Sequence, residues 1–189
     1  MKRSIVAWLS VLLAAATLPA HAQVSPSAVT RQFSITAGAL ASGFQTDYQG
    51  SYVAQASSQP LYGAGAYVDV KFTRWVQVEA EGRWLRFNQL KNINQSNYLI
   101  GPRLPIQSLR FWRATPYAKV LIGYGKMNFE YNEGTGSFTD IAYGGGVDIK
   151  LTKRISIRAI DVEYQEWPRW LNSSLYPYGA SVGIGYKVF

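Results

Sequence analysis

The chain has 189 residues, enough for one ordinary domain, and its lack of cysteine excludes a disulfide framework and thiol chemistry. Lys and Arg outnumber Asp and Glu by 19 to 11, an excess that suits an anionic membrane surface but is too modest to predict a nucleic-acid partner. The mean hydropathy of -0.08 fits both a soluble protein and a membrane β-barrel, which hides its apolar surface in alternate residues, so the residue pattern must decide.

The first 22 residues, MKRSIVAWLSVLLAAATLPAHA, have the layout of a secretory signal. Two basic residues open the segment, an apolar stretch too short to span a membrane follows, and Ala-His-Ala predicts cleavage before Gln23. Export then leaves residues 23–189 as one domain. Without the two basic residues of the signal, 17 basic residues stand against 11 acidic ones, a net charge of +6. This mature chain has no histidine, because His21 is removed with the signal.

Beyond residue 30 the sequence alternates between apolar and polar residues in eight stretches, which predict eight β-strands. The stretches are 33–42, 61–72, 75–85, 97–106, 116–126, 141–151, 155–165 and 176–189. Pro102 and Pro105 weaken the fourth prediction, because proline cannot donate a hydrogen bond to a sheet. The seventh stretch changes phase, which predicts a bulge near Ala159–Ile160.

The connections between these strands alternate in length. Two turns of two or three residues and the link 107–114 are short, whereas four connections are longer and more polar: 43–60, 86–97, 127–139 and 166–174. Outer-membrane barrels have short periplasmic turns and long extracellular loops, and an even strand count places both chain ends in the periplasm. The pattern predicts an all-β, eight-stranded antiparallel up-and-down transmembrane β-barrel.

The polar row of these strands carries twelve charged residues, six acidic and six basic. They are Asp69, Lys71, Glu79, Glu81, Arg83, Arg103, Lys119, Asp148, Lys150, Arg158, Asp161 and Glu163. An eight-stranded barrel is only wide enough for its own side chains to fill it, so this row predicts a salt-bridged, water-poor interior. The apolar row, rich in aromatic residues near the strand ends, would then face lipid. The alternative, a soluble lipocalin-like binding barrel, would place the apolar row inside.

Two features could be interpreted as catalytic or binding motifs. Glu79 and Glu81 share one strand face and could act as paired carboxylates, but neutralisation of the interior explains them together with their ten charged companions. The glycines at 63–65 and 144–146 lie within alternating strands, whereas a phosphate loop requires a strand–loop–helix context. We therefore expect no cofactor, no metal and no catalytic residues.

The hairpins AYVDVKFTRWVQVEAEGRW and GGGVDIKLTKRISIRAIDVEYQ and the final strand make residues 31–189 resemble the outer-membrane-protein-A-like superfamily of small eight-stranded outer-membrane β-barrels. The resemblance implies a Gram-negative outer-membrane location, with outer-membrane lipids and lipopolysaccharide as partners. It also implies that barrel-assembly machinery reads a C-terminal strand ending in an aromatic residue, here Val182, Ile184, Tyr186, Val188 and Phe189. Phe189 falls one residue after the lipid-facing row, so either it folds back to the interface or the strand has a terminal bulge.

Relatives of this architecture that act on lipid A or phospholipids use a histidine with a serine, and the expected mature chain has no histidine. We therefore expect a non-enzymatic protein with an envelope-structural or surface-interaction role, whose long loops contact an unidentified extracellular ligand. The alternative is a narrow channel gated by the internal ion pairs.

The short turns carry a second group of basic residues, namely Arg74, Arg110, Arg113, Lys153 and Arg154. One interpretation is that they bind anionic lipid head groups, with Trp112 at the membrane interface. The other is that they are ordinary polar turn residues.

Overall fold

The computed structural model describes residues 33–45, 60–89, 93–128, 135–170 and 173–189. The predicted signal segment, residues 1–22, lies outside these ranges, as do residues 46–59 of the first long connection. Within the described part of the chain, no helix is long and apolar enough to cross a membrane.

Nine β-strands and one short 3-10 turn make up the described fold. The strands are β1 (Ser34–Gln45), β2 (Pro60–Lys71), β3 (Gln77–Phe87), β4 (Asn94–Pro105), β5 (Ala114–Asn128), β6 (Thr135–Lys150), β7 (Ile155–Trp170), β8 (Ser173–Leu175) and β9 (Tyr178–Lys187), and the 3-10 turn is Gln107–Leu109. All pairings are antiparallel, and each strand pairs with its neighbour from β1 to β7. β9 pairs with both β7 and β1, which closes an eight-stranded barrel, while β8 pairs only with the end of β7. The predicted closed, eight-stranded antiparallel β-barrel is confirmed.

Alternate residues of each strand face opposite sides of the barrel wall, as the sequence pattern predicts. In β5, Tyr117 and Leu121 are buried at 3% and 0% exposure, whereas Val120 and Ile122 are exposed at 46% and 54%. The apolar row therefore lies on the outside of the barrel and the polar row lies inside. A soluble ligand-binding barrel would have the opposite arrangement, so the structure excludes the lipocalin-like alternative.

The two ends of the barrel differ. The turn end carries the connections 72–76, 106–113 and 151–154 together with Phe189, and the opposite, loop end carries the longer connections. At the loop end the strands continue beyond the predicted limits, so that residues 86–87, 94–97, 127–128, 135–139 and 166–170 lie in strands rather than in loops. The sequence missed these extensions because hydrogen bonding between strands continues where the outer face no longer needs to be apolar.

The predicted bulge in β7 is confirmed. Val147 pairs with Ile160 and the next residue, Asp148, pairs with Arg158, which leaves Ala159 as an extra residue. A bulge of this kind lets two residues oppose one. As a result, Arg158 and Asp161 both face the interior although they are three residues apart.

The C-terminus ends in a second bulge, which answers the question raised by Phe189. The carbonyl oxygen of Ile35 accepts hydrogen bonds from the backbone N–H of both Val188 (2.9 Å) and Phe189 (3.4 Å), so two residues oppose one. The Phe189 ring packs edge-on against Phe33 at 5.9 Å between centroids, and Phe33 packs against Phe72 at 6.0 Å. The terminal bulge thus returns Phe189 to the outer surface.

Candidate functional site in the barrel interior

The structure brings together ten of the twelve charged residues that the polar row singled out. Four bases and six acids form one ion-pair network inside the barrel: Arg83, Arg103, Lys119, Arg158, Asp69, Glu79, Glu81, Asp148, Asp161 and Glu163. Lys71 and Lys150 face inward as well, but they lie at the turn end and do not join the network. Alternation determines which face a residue occupies and not its height along the barrel axis, so it could not separate these two lysines from the others.

Lys119 of β5 lies at the centre of the network. Its fully buried Nζ contacts carboxylate oxygens of Glu79 at 2.9 Å, Glu81 at 3.1 Å, Asp161 at 2.6 Å and Glu163 at 2.7 Å. The carboxylates of Glu79, Glu81 and Asp161 lie within 4.8 Å of one another, close enough to hold a metal ion. The Lys119 ammonium group lies among these carboxylates and supplies part of their counter-charge, in the place that a bound cation would take.

Arg158 of β7 connects the network to the wall formed by β2 and β3. Its guanidinium contacts Glu79 at 2.7 Å, Asp69 at 3.2 Å and Asp161 at 3.1 Å. Its Cζ also lies 3.8 Å from the centre of the Tyr67 ring, a cation–π contact that fills the space beside the charges.

Arg103 of β4 forms the part of the network nearest the turn end. It contacts Glu79 at 3.3 Å and Asp69 at 3.6 Å, and it donates a hydrogen bond to Asp148. Its guanidinium lies 3.7 Å from the centre of the Tyr117 ring. Arg103 and Tyr117 together close the lumen on the turn-end side of the network.

Arg83 of β3 forms the part nearest the loop end. Its two terminal nitrogens donate to Glu163 at 3.0 Å and 2.9 Å, a bidentate geometry that strengthens the pair, and it also donates to Glu81. The guanidinium lies 4.2 Å from the centre of the Phe44 ring, where the apolar part of the interior begins.

The network contains more acids than bases, six against four, so each base is shared by several carboxylates. Removing charges from water is expensive, and a buried pair adds little net stability, but a charge that loses its partner is strongly destabilising. Loss of a base should therefore cost far more than loss of an acid.

The glycine run of β6 makes room for these side chains. A Cβ atom at Gly144 would lie 2.9 Å from Glu163 Cγ and 3.2 Å from Lys119 Cε. Both glycine runs noted in the sequence, 63–65 and 144–146, lie inside strands. Gly144 thus serves close packing in the barrel rather than phosphate binding.

Toward the loop end the lumen is closed by a layer of amide and carboxyl side chains and then by an apolar layer. Buried amide and carboxyl side chains come first, and Asn97 donates both to Asp140 and to Gln165. A cluster of Ile93, Met127, Trp167 and Leu175 follows, with the Phe138 ring stacked on Trp167 at 4.0 Å. Sequence reasoning missed both layers because most of these residues fell in predicted loops. The sequence pattern did contain this information, since Ile93, Gln95 and Asn97 continue the alternation of inward-facing residues in β4.

At the turn end the lumen opens into a cavity of about 530 Å³, called here the basic cavity. Seven Lys and Arg residues line it in addition to Arg103: Lys71, Arg74, Arg110, Lys150, Lys153, Arg154 and Lys187. Its lining carboxylates are Asp69 and Asp148, both of which contact Arg103. Of the five turn residues considered above, Arg113 does not line the cavity and instead donates a hydrogen bond to the carbonyl oxygen of Leu151.

Comparison with known proteins identifies a family and a fold. The family described as "Outer membrane protein beta-barrel domain" matches residues 9–187. None of the curated proteins matches the sequence.

Three solved structures share the fold. Neisserial surface protein A has 10% identity and a TM-score of 0.56, with 82% of this chain and 96% of that chain covered. OprG of Pseudomonas aeruginosa has 13% identity and a TM-score of 0.53, with 82% and 95% covered. The N-terminal β-barrel domain of Pseudomonas aeruginosa OprF has 12% identity and a TM-score of 0.51, with 82% and 99% covered. At these identities the likeness concerns the fold alone.

Proposed function

This chain belongs to the outer membrane protein β-barrel domain family, as its resemblance to small outer-membrane barrels predicted, and from this premise we propose that it is a closed, non-enzymatic membrane anchor. Its role is to strengthen the envelope of a Gram-negative cell or to hold surface segments that contact an extracellular ligand. The observation that carries the proposal is the filled lumen.

The orientation follows from the two unequal ends. Barrels of this class place short turns in the periplasm and long loops outside the cell. The turn end therefore faces the periplasm, and outer-membrane lipids and lipopolysaccharide surround the apolar outer row. The strands β6 and β7 have 16 residues each, whereas about 9–11 residues suffice to cross a bilayer. Their extra length at the loop end raises the strand ends above the membrane surface, which supports a surface-interaction role.

Two barriers in series close the lumen. The ion-pair network fills its lower part with side chains whose charges already contact one another, and the cluster around Trp167 closes the upper part with apolar side chains. An ion crossing this path would have to leave water and either displace a buried pair or enter the apolar cluster, and both steps are costly.

The non-enzymatic assignment is supported by the state of the two candidate carboxylates. Glu79 is fully buried and contacts Lys119, Arg158 and Arg103, and Glu81 contacts Lys119 and Arg83. Acid–base catalysis requires a carboxyl group within reach of a substrate proton. These two groups are enclosed by the chain's own cations.

Conductance in planar lipid bilayers tests the closed lumen. We expect no stepwise current from the purified barrel at neutral pH, under conditions in which a porin inserted in the same membrane conducts. Current steps from the wild-type barrel would contradict the anchor proposal. If the size of these steps changed in Arg103→Gln, the result would favour the narrow channel, with an ion path through the ion-pair network.

We also propose that the last strand carries the assembly signal read by the barrel-assembly machinery, made of Val182, Ile184, Tyr186, Val188 and Phe189. All five side chains are exposed on the outer surface, and the terminal bulge aligns Phe189 with the other four. A receptor that met β9 before it paired with β1 would thus contact one continuous apolar row.

Replacing Phe189 with alanine is expected to lower the amount of assembled barrel in cells several-fold, without preventing the purified protein from refolding in lipid vesicles. The substitution keeps the backbone bulge and removes the ring that the machinery reads. Phe72→Ala is the matched control, because it removes a ring from the same aromatic cluster without changing the chain end. Heat-dependent gel mobility of membrane fractions measures assembly. If both variants lost the same amount of assembled barrel, the aromatic cluster, and not the C-terminal assembly signal, would determine the yield of assembly.

A further inference from the structure

The basic cavity collects positive charge that the fold itself does not balance. We propose that it binds a soluble anion carrying two or more phosphate groups, which enters from the periplasmic side. The site adjoins the ion-pair network at Arg103 and goes beyond the anchor role.

The seven basic residues line the cavity from every part of the turn end, although the Arg74 guanidinium lies over the Trp75 ring and the Arg154 guanidinium donates to the Tyr186 hydroxyl on the outer face. Lys71, Lys150 and Lys187 project from the ends of β2, β6 and β9, and the other four come from the three turns. Lys71 interacts electrostatically with Lys150 and Lys187, and with Arg110 from the turn between β4 and β5. Charges that served only for solubility would be spread over the outside of the turns, so their convergence on one volume points to a ligand.

Little counter-charge faces this group among the described residues, where Asp148 interacts with Lys150. None of the seven forms an ion pair there, and the two lining carboxylates, Asp69 and Asp148, are shared with Arg103 and Arg158. Like charges held together repel, and the repulsion is stronger in a recess than in open water. A bound anion would remove this cost.

The remaining lining side chains favour phosphate. Hydroxyl groups are arranged around the same volume: Ser34, Thr36, Thr115, Thr152 and Ser156. Phosphate oxygens accept hydrogen bonds from hydroxyl, ammonium and guanidinium groups alike, and the charge-assisted bonds are the strong ones. Because the cations line all sides, one phosphate cannot reach them, whereas a chain of phosphates can.

The shape of the cavity indicates where the anion comes from. Its volume of about 530 Å³ lies within the range of small-molecule sites, and Arg103 and Tyr117 close its inner end. The strand ends surround it, so a head group of the surrounding leaflet lies on the other side of the wall. We therefore assign the site to a soluble anion, which binds there without passing through the barrel.

Calorimetric titration of the purified barrel with inorganic tripolyphosphate, in nanodiscs of uncharged phosphatidylcholine, tests the proposal. We expect saturable binding that weakens as salt is added, and weaker binding of orthophosphate. Lys71→Gln and Lys150→Gln should each weaken binding about tenfold, because each removes one charge-assisted contact. Lys126→Gln, the same change at the loop end of β5, should leave it unchanged. No binding, or equal weakening by Lys126→Gln, would overturn the proposal.

Thermal unfolding without ligand separates a binding role from a structural one. Lys71→Gln should unfold at the same temperature as the wild type or higher, because Lys71 forms no ion pair among the described residues and interacts with the like charges of Lys150, Lys187 and Arg110. A lower unfolding temperature would indicate a structural role and contradict the proposal.

A second experiment distinguishes a soluble anion from a lipid head group. It replaces phosphatidylcholine with phosphatidylglycerol and omits tripolyphosphate. If only this anionic lipid stabilises the protein, and Lys71→Gln abolishes the effect, the anion is a head group and the soluble ligand is ruled out.

Discussion

Replacing Lys119 with methionine is expected to lower the free energy of unfolding of the barrel by about 3–5 kcal/mol. Methionine fills similar space, so the loss comes from the charge and not from a cavity. The Lys119 ammonium is the shared partner of four buried carboxylates, and without it those carboxylates repel one another in a region shielded from bulk water. Urea unfolding in lipid vesicles, followed by tryptophan fluorescence, measures the change.

Two further variants test whether the imbalance of the network is the cause. Lys126→Met changes an exposed lysine of the same strand and should alter stability by no more than about 0.5 kcal/mol. Glu81→Gln removes an acid from the network. The two bases that contact Glu81, Arg83 and Lys119, still contact Glu163, so we expect the free energy of unfolding to fall by only about 1 kcal/mol. If Lys119→Met and Glu81→Gln destabilised the barrel equally, the excess of acids would not control its stability.

Deleting Ala159 is expected to prevent most of the protein from folding. The deletion removes the bulge, and a one-residue shift turns every side chain of the affected segment to the other face. Arg158 would then point into lipid, at a cost of up to about 2–4 kcal/mol, and its carboxylate partners would be left unpaired, at about 3–5 kcal/mol. Together these losses approach the whole stability of a typical domain, about 5–15 kcal/mol.

The fraction of protein with heat-dependent gel mobility, after refolding into vesicles, measures the effect of the deletion. Ala159→Gly is the control, because it keeps the residue count and should refold nearly as well as the wild type. Efficient refolding of the deletion variant would mean that β7 can slide against its neighbours and that the bulge does not determine the register.

Sequence alternation was sufficient to predict the barrel and the face of each charged residue. The apolar and polar rows occur on the predicted sides, and the phase change in the seventh stretch predicted a bulge near Ala159–Ile160, where Ala159 is the extra residue. These features are local, since each depends on residues within one strand. They require no knowledge of what lies across the lumen.

The pairing inside the barrel could not be predicted in the same way. Lys119 meets Glu79 and Glu163 from strands about 40 residues away on either side, and the contact depends on the height of each side chain along the axis. Alternation contains no information on height, which is why Lys71 seemed equivalent to Lys119. The position of Phe189 left two alternatives open, a fold back to the interface or a terminal bulge, and the pairing with Ile35 on β1 decides for the bulge.

The position of Lys119 makes the central counter-charge of the barrel interior a covalent part of the chain. Three carboxylates that could together coordinate a divalent ion instead surround an ammonium group that is covalently attached to the protein. A chelator such as EDTA can remove calcium or magnesium from a membrane surface, but it cannot remove a lysine. The core of this barrel should therefore retain its packing when the medium is depleted of divalent cations.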